Sequence, residues 1–156
     1  MYLVDVSAAS WAKDECAPLL NQALAARGLP PCPRPRATAG DFEEKLIPSM
    51  DDFAEMCARH GVTEFLDASL IVPVDFVGLI ELPVASAYDD VTNVFSAQRL
   101  RAAIAPIVAE VGLPDGLPSG PMALTIAIDD PLTFYVALFR QAAEHALRHS
   151  CPMTYV

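Results

Sequence analysis

Hydrophobic and polar positions alternate near the N-terminus and then change to helical spacing. The alternation in YLVDV and its β-forming side chains predict a first strand over residues 2–6. The next segment, SWAKDECAPLLNQALAARG, predicts a helix that ends at Gly28. Pro18 requires this helix either to begin near Asp14, which places the proline close to the first turn, or to kink.

The middle of the chain predicts one helix followed by two strands. In SMDDFAEMCARHG, Ser49 is the expected N-cap and Gly61 supplies a left-handed exit from the helix. Two short apolar runs then predict strands at about residues 69–75 and 78–85. Because only two residues separate these runs, we expect the strands to be antiparallel neighbours.

The last third predicts two helices and two further strands. SAQRLRAAIAPIVAEVG has apolar residues at helical spacing and stops at Gly112. MALTIAI predicts a strand, after which Asp130 caps a helix that begins at Pro131 and runs to about His149. The final PMTYV predicts a short strand.

This order of elements predicts a fold between the α/β and α+β classes. We expect a single globular domain over residues 1–156, with a mixed β-sheet of about five strands and three to four packed helices. The 53% hydrophobic and 19% charged content excludes intrinsic disorder, which needs few apolar and many charged residues. No apolar run approaches the roughly 18 residues that a membrane span requires. The first residues lack a basic region typical of a signal peptide, so we expect a cytoplasmic location.

The net charge of −10 is concentrated in one third of the chain. Residues 41–95 contain twelve acids and only two bases, Lys45 and Arg59, and no lysine or arginine occurs between His60 and Gln98. An acidic field repels phosphate backbones, so a nucleic-acid partner is not expected. The pattern is compatible with a basic protein partner or a cationic ligand, and the alternative is a charge that serves solubility alone.

The acidic third also contains SAYDDVTNVFSAQRL (86–100), which predicts a polar connection between a strand and a helix. Loops on rigid scaffolds commonly carry recognition, and aromatic residues beside acids suit a basic partner surface. The alternative is a solvated loop in which Thr92 or Ser96 caps the next helix. The candidate partner-binding residues are Asp51, Asp52, Asp75, Glu81, Tyr88, Asp89, Asp90 and Asn93.

The segment EHALRHSC raises the question of a metal site, because His145 and His149 are one helical turn apart. Cys151 is a third candidate ligand if the chain turns back after the helix. Glu144 precedes the histidines, and its expected partners are Arg140 and Arg148 at i−4 and i+4. We therefore interpret the segment as a helix end with favourable cations, and predict no metal and no cofactor.

Several acids lie in or at the ends of predicted strands, which is where many α/β enzymes place catalytic or metal-binding carboxylates. They are Asp5, Asp75, Glu81, Asp129 and Asp130. Neither a G-x-S-x-G nucleophile motif nor a glycine-rich phosphate-binding motif accompanies them. The four cysteines are widely spaced and are expected to be free thiols.

The function that these patterns favour is a non-enzymatic, acidic protein-interaction domain. An inhibitor or immunity-type protein that neutralises a basic enzyme is small, acidic and free of catalytic motifs in the same way. The alternative is a small enzyme that uses Asp5, Asp75 and Asp129, with or without a divalent metal. A third hypothesis is a homodimer that pairs through an edge strand formed by MTYV near the C-terminus.

Overall fold

The structure, a computed structural model, describes residues 3–5, 16–33, 49–86, 89–113 and 130–155. The helices in these residues are α1 (Cys16–Ala26), α2 (Asp51–Arg59), α3 (Ala97–Val111) and α4 (Pro131–His149), with a 3₁₀ helix at Glu64–Asp67. The strands are β1 (Leu3–Asp5), β2 (Leu70–Val72), β3 (Ile80–Leu82), β4 (Thr92–Ser96) and β5 (Met153–Tyr155). The strand predicted from MALTIAI lies outside the described residues.

The described strands form one sheet in the order β1-β5-β2-β4-β3. β2 and β4 are parallel, and the other neighbouring pairs are antiparallel. The predicted mixed α/β architecture is therefore confirmed. One domain over residues 1–156 stays a prediction.

The prediction that the strands at 69–75 and 78–85 pair with each other is wrong. β4 lies between β2 and β3, where Val94 pairs with Leu70 on one side and with Ile80 on the other. The same strand corrects the interpretation of 86–100 as a connection, because Thr92–Ser96 is a central strand. The acids that precede it make this segment resemble a loop, whereas Val94 and Phe95 are buried on opposite faces of the sheet.

The sheet is covered on both faces by helices, which gives two hydrophobic clusters. On one face, α1 packs through Leu20 and Leu24 against Val72, Ile80 and Leu82. On the other face, Ile71, Phe95 and Met153 belong to the larger cluster built with α2, α3 and α4. Aromatic rings fill that cluster, and Phe53 stacks on both Tyr135 and Phe139 with centroids 5.7 and 5.1 Å apart.

Side-chain caps fix the starts of two helices; the Asp130 cap was predicted, and Ser96 was one of two residues considered for the other. The Ser96 hydroxyl accepts a hydrogen bond from the backbone N–H of Arg99, and Asp130 accepts one from the backbone N–H of Thr133. For α2 the prediction is wrong, since the N-cap is Met50 and the Ser49 hydroxyl instead contacts Asp51. α2 begins at Asp51, one residue later than a cap at Ser49 predicts.

α2 and α3 each end just before a glycine. Gly61 and Gly112 adopt φ values of +66° and +70°, the left-handed conformation predicted for both positions. In α1, Pro18 lies in the first turn, where a missing N–H removes no intrahelical hydrogen bond.

The C-terminal strand is not at an edge of the described sheet. β5 pairs with β1 on one side and with β2 on the other. Its backbone groups are therefore used within the chain, which removes the basis for a homodimer formed through MTYV.

Candidate functional site

A row of polar residues crosses the sheet on the face that packs against α2, α3 and α4. Glu81 of β3 is paired with Asn93 of β4. Ser69, just before β2, donates its backbone N–H to the Asn93 carbonyl at 2.9 Å, and its hydroxyl accepts from the Asn93 N–H at 3.2 Å. Side chains alternate along a strand, so Ser69 shares a face with Ile71, and Asn93 shares the same face with Phe95. Glu81 lies on this face because it is paired with Asn93. The helices cover the apolar part of this face and leave the polar row beside it.

A cleft of about 620 Å³ opens over the polar row, and we call it the acidic cleft. Three carboxylates line it, those of Asp67, Glu81 and Asp89. Further lining comes from polar Ser69, Ser86 and Asn93 and from apolar Met50, Leu66, Ala68, Leu79, Val91 and Phe139. This volume falls within the range of about 300–1,000 Å³ that is common for ligand pockets.

Each carboxylate of the acidic cleft is positioned by a different element. Asp67 ends the 3₁₀ helix that leads into β2. Glu81 is exposed while Ile80 and Leu82 are buried, because the alternation of β3 turns it to the opposite face. Asp89 is held by Ser86, which donates its backbone N–H to the Asp89 carbonyl at 2.8 Å. The Ser86 hydroxyl in turn accepts from the Asp89 N–H at 3.1 Å.

The charge around the acidic cleft is strongly negative. The described residues that line it include no lysine, arginine or histidine. All nine carboxylates described between residues 49 and 90 are exposed: Asp51, Asp52, Glu55, Glu64, Asp67, Asp75, Glu81, Asp89 and Asp90. The basic residue tied to the rim is Arg27, whose guanidinium donates to the carbonyls of Val77 and Leu79 at 3.2 and 3.1 Å. Arg27 also lies over the ring of Phe76, which belongs to the cluster on the α1 side of the sheet.

The structure brings together part of the predicted partner-binding set. Glu81, Asp89 and Asn93 line the acidic cleft, whereas the exposed Asp90 next to Asp89 does not. Tyr88 lies outside the described residues. Asp67 was missed, because the short segment that it shares with Glu64 matches no site motif and no local pattern connects it with Glu81.

Other members of that set lie elsewhere. Asp51 and Asp52 are exposed in the first turn of α2, next to Met50 at the wall of the acidic cleft. Asp75 forms an ion pair with Arg99, with its carboxylate 2.7 Å from Nε and 3.4 Å from Nη2. The arginine thus offsets the negative charge of Asp75.

Of the three strand-end carboxylates in the enzyme hypothesis, the structure describes only the side chain of Asp75. Asp75 is engaged by Arg99. Asp5 ends β1, where its backbone pairs with Met153, while its side chain and the whole of Asp129 lie outside the described part of the chain. Asp130, the neighbour of Asp129, caps α4.

The C-terminal histidines form a contact of their own. The rings of His145 and His149 are 4.4 Å apart between centroids, and Cys151 is buried after a left-handed Ser150. Glu144 pairs with Arg140 at 3.2 Å, which confirms one of its two predicted partners. Among the described residues, no group of three or more histidines, cysteines, aspartates or glutamates is arranged to hold a metal ion.

Comparisons of the chain with family models, curated proteins and solved structures found no match. Within the described ranges, no helix combines the length and the apolar character that crossing a bilayer requires. The chemistry of the acidic cleft is therefore the basis on which a function is proposed.

Proposed function

We propose that this chain is a non-enzymatic protein-interaction domain whose acidic cleft receives a basic segment of a partner protein. The observation that carries the proposal is the meeting of Asp67, Glu81 and Asp89 around one cleft whose described lining contains no basic residue. A cleft with carboxylates on several sides attracts cations and repels anions. An inhibitor or immunity-type role, in which the domain neutralises a basic enzyme, is the specific form that we favour.

The grouping of acidic residues at one cleft supports a binding role over a solubility role. A single exposed carboxylate paired with a cation contributes only about 0.2–1 kcal/mol, so the proposal depends on several acids acting together. Three acidic residues line the same cleft, whereas a solubility role does not require them to share one. The remaining exposed acids extend the field to about a Debye length, 8–10 Å, and would accelerate encounter with a basic surface.

The enzyme hypothesis is not proposed as a second function. A general base or metal ligand needs a carboxylate that is free to act, and Asp75 is held by Arg99. No specific observation on the described residues favours catalysis.

The test is a fluorescence anisotropy titration with a labelled peptide that contains two arginines and two lysines. The cleft variant combines Asp67→Asn, Glu81→Gln and Asp89→Asn. The matched control combines Asp51→Asn, Asp52→Asn and Asp90→Asn, which removes the same charge from exposed acids that do not line the cleft. We expect the cleft variant to lose at least about tenfold in affinity, equal to about 1.4 kcal/mol, and the control much less.

The dependence of the association rate on salt concentration is a second test of the proposal. The association of the wild-type chain should slow as sodium chloride rises from about 20 to about 300 mM, because steering by exposed charges is screened. Equal losses in the two triple variants would contradict a site at the cleft, and an on-rate that is independent of salt would contradict the electrostatic basis.

A further inference from the structure

We infer that the basic group received by the acidic cleft is an arginine side chain of the partner and not a lysine. This inference rests on the proposed function and deepens it. It depends on the way in which polar and apolar side chains share the lining of the cleft.

The polar lining suits a planar group with several donors. Its acidic residues come from the 3₁₀ helix, from β3 and from the segment before β4, and one carboxylate oxygen of Asp89 already accepts from the Asp90 N–H at 2.7 Å. Ser69 and Asn93 of the polar row add further oxygen atoms beside Glu81. A guanidinium has five N–H donors in one plane and can use several acceptors at once, whereas an ammonium has three donors on a single atom.

The apolar lining of the cleft also favours an arginine over a lysine. This lining includes the half-buried Met50, Leu79 and Val91 and also Phe139, which is only 1% exposed. The Phe139 ring cannot yield space easily, because it stacks on Phe53 with an angle of 13° between the rings. A guanidinium is weakly hydrated on its faces and tolerates apolar contact, while an ammonium loses strong hydration beside such walls. The methylenes of the arginine stem would lie along the same walls.

The experiment compares two blocked pentapeptides of equal charge, Gly-Gly-Arg-Gly-Gly and Gly-Gly-Lys-Gly-Gly. Each is titrated into the ¹⁵N-labelled full chain, and backbone amide shifts are followed at Ala68, Ser69 and Asn93, which line the acidic cleft. We expect both peptides to shift these amides, with the arginine peptide binding about tenfold more tightly. Equal affinities, or a tighter lysine peptide, would overturn the inference while leaving the proposed function in place. If neither peptide shifts these amides, both the inference and the proposed function fail.

A substitution of Met50 tests whether the apolar lining of the cleft contributes to a preference for arginine over lysine. Met50→Ser removes an apolar side chain that lines the cleft and also packs against the larger hydrophobic cluster, so circular dichroism is used to check that the variant is folded. We expect this variant to weaken the arginine peptide by about threefold or more and the lysine peptide less, because the arginine contacts the apolar wall with its guanidinium face as well as its stem, whereas the lysine contacts it with its stem alone. Equal losses for both peptides would overturn the role given to the wall.

Discussion

At the scale of single residues, the partner of each acid decides what the acid can do. Asp75 follows β2 along the chain and Glu81 lies in β3, and both acids are exposed. Asp75 is paired with Arg99, while Glu81 lies in a cleft whose described lining has no cation. The same residue type in similar sequence contexts therefore serves the structure in one case and remains open to a ligand in the other.

A first prediction concerns the cap of α4. Asp130 Oδ2 accepts from the Thr133 N–H at 2.9 Å and from the Thr133 hydroxyl at 2.5 Å. Asp130→Ala should lower the free energy of unfolding at pH 7 by about 1 kcal/mol, measured by urea denaturation. Asp130→Asn preserves an acceptor and serves as the control with a smaller loss. An alanine variant as stable as the wild type would rule out the cap as a stabilising feature.

The same cap has a pH dependence with a definite sign. The hydrogen bond from the Thr133 hydroxyl, assisted by that from its N–H, holds the pKa of Asp130 below its ordinary value. The stabilisation is therefore complete above the unfolded pKa of about 3.9 and is lost as the pH falls through the lower folded pKa. Asp130→Asn should lack this part of the acid dependence.

A second prediction concerns Gln141, which is only 6% exposed on α4. Neither its Oε1 nor its Nε2 has a hydrogen-bond partner among the described residues. A buried polar group without a partner costs about 1–3 kcal/mol, so Gln141→Leu should raise the free energy of unfolding. Gln141→Glu, which adds a buried charge, should lower it, and a destabilised leucine variant would show that the amide is satisfied in solution.

A third prediction concerns the thiols. Burial raises the pKa of Cys32 to about 12 and that of Cys57 to about 11. The thiolate is the reactive form, so at pH 8 both should react slowly with Ellman's reagent, as should the buried Cys151. The half-buried Cys16 should give the fast phase, which Cys16→Ser removes. A fast phase of two or more thiols in the native chain would contradict this assignment.

At the scale of elements, one acid joins two helices that the sequence places far apart. Glu110 near the end of α3 accepts from Arg59 at 2.6 Å and contacts His60 Nε2 at 2.8 Å, both at the end of α2. The hydrogen bond with His60 is the main cause that lowers the pKa of Glu110. The pair is exposed, so its contribution is small and sensitive to salt.

The fourth prediction follows from that contact. Since the folded pKa of Glu110 is lowered, its contribution is present above the unfolded value of about 4.3 and is lost as the pH falls through the folded value. Glu110→Gln should therefore flatten the pH dependence of unfolding between about pH 6 and pH 3. Glu55→Gln, a change at an exposed acid of α2, should leave that dependence closer to the wild-type profile. Identical profiles for Glu110→Gln and the wild type would contradict the linkage.

At the scale of the whole molecule, the two ends of the chain complete one side of the sheet. β5, near the C-terminus, lies between β1 and β2, and Met153 is fully buried in the larger cluster. The edge of the sheet near the N-terminus is therefore attached through the last residues of the chain.

The fifth prediction is that deletion of residues 152–156 abolishes cooperative unfolding, because β1 loses its neighbour and the core loses Met153. Thermal unfolding followed by circular dichroism measures this, and deletion of Val156 alone, which leaves every residue of β5 in place, is the control. A cooperative transition with an unchanged midpoint after the longer deletion would show that β5 is dispensable.

Local features of the chain determined much of the secondary structure. The caps at Ser96 and Asp130, the exits at Gly61 and Gly112 and the ion pair of Glu144 with Arg140 were all predictable. Each depends on hydrogen bonds, backbone conformations or charges within four residues along the chain. The concentration of negative charge between residues 41 and 95 was equally a property of the sequence.

Only the tertiary structure decided where those charges meet. β4 enters between β2 and β3, which places Asn93 opposite Glu81 and beside Ser69. Asp67 joins this site from another element, while Arg99 from α3 removes Asp75 from the available acids. Strand order and ion pairs of this kind depend on contacts between residues more than ten positions apart, which the periodicity of a local segment does not encode.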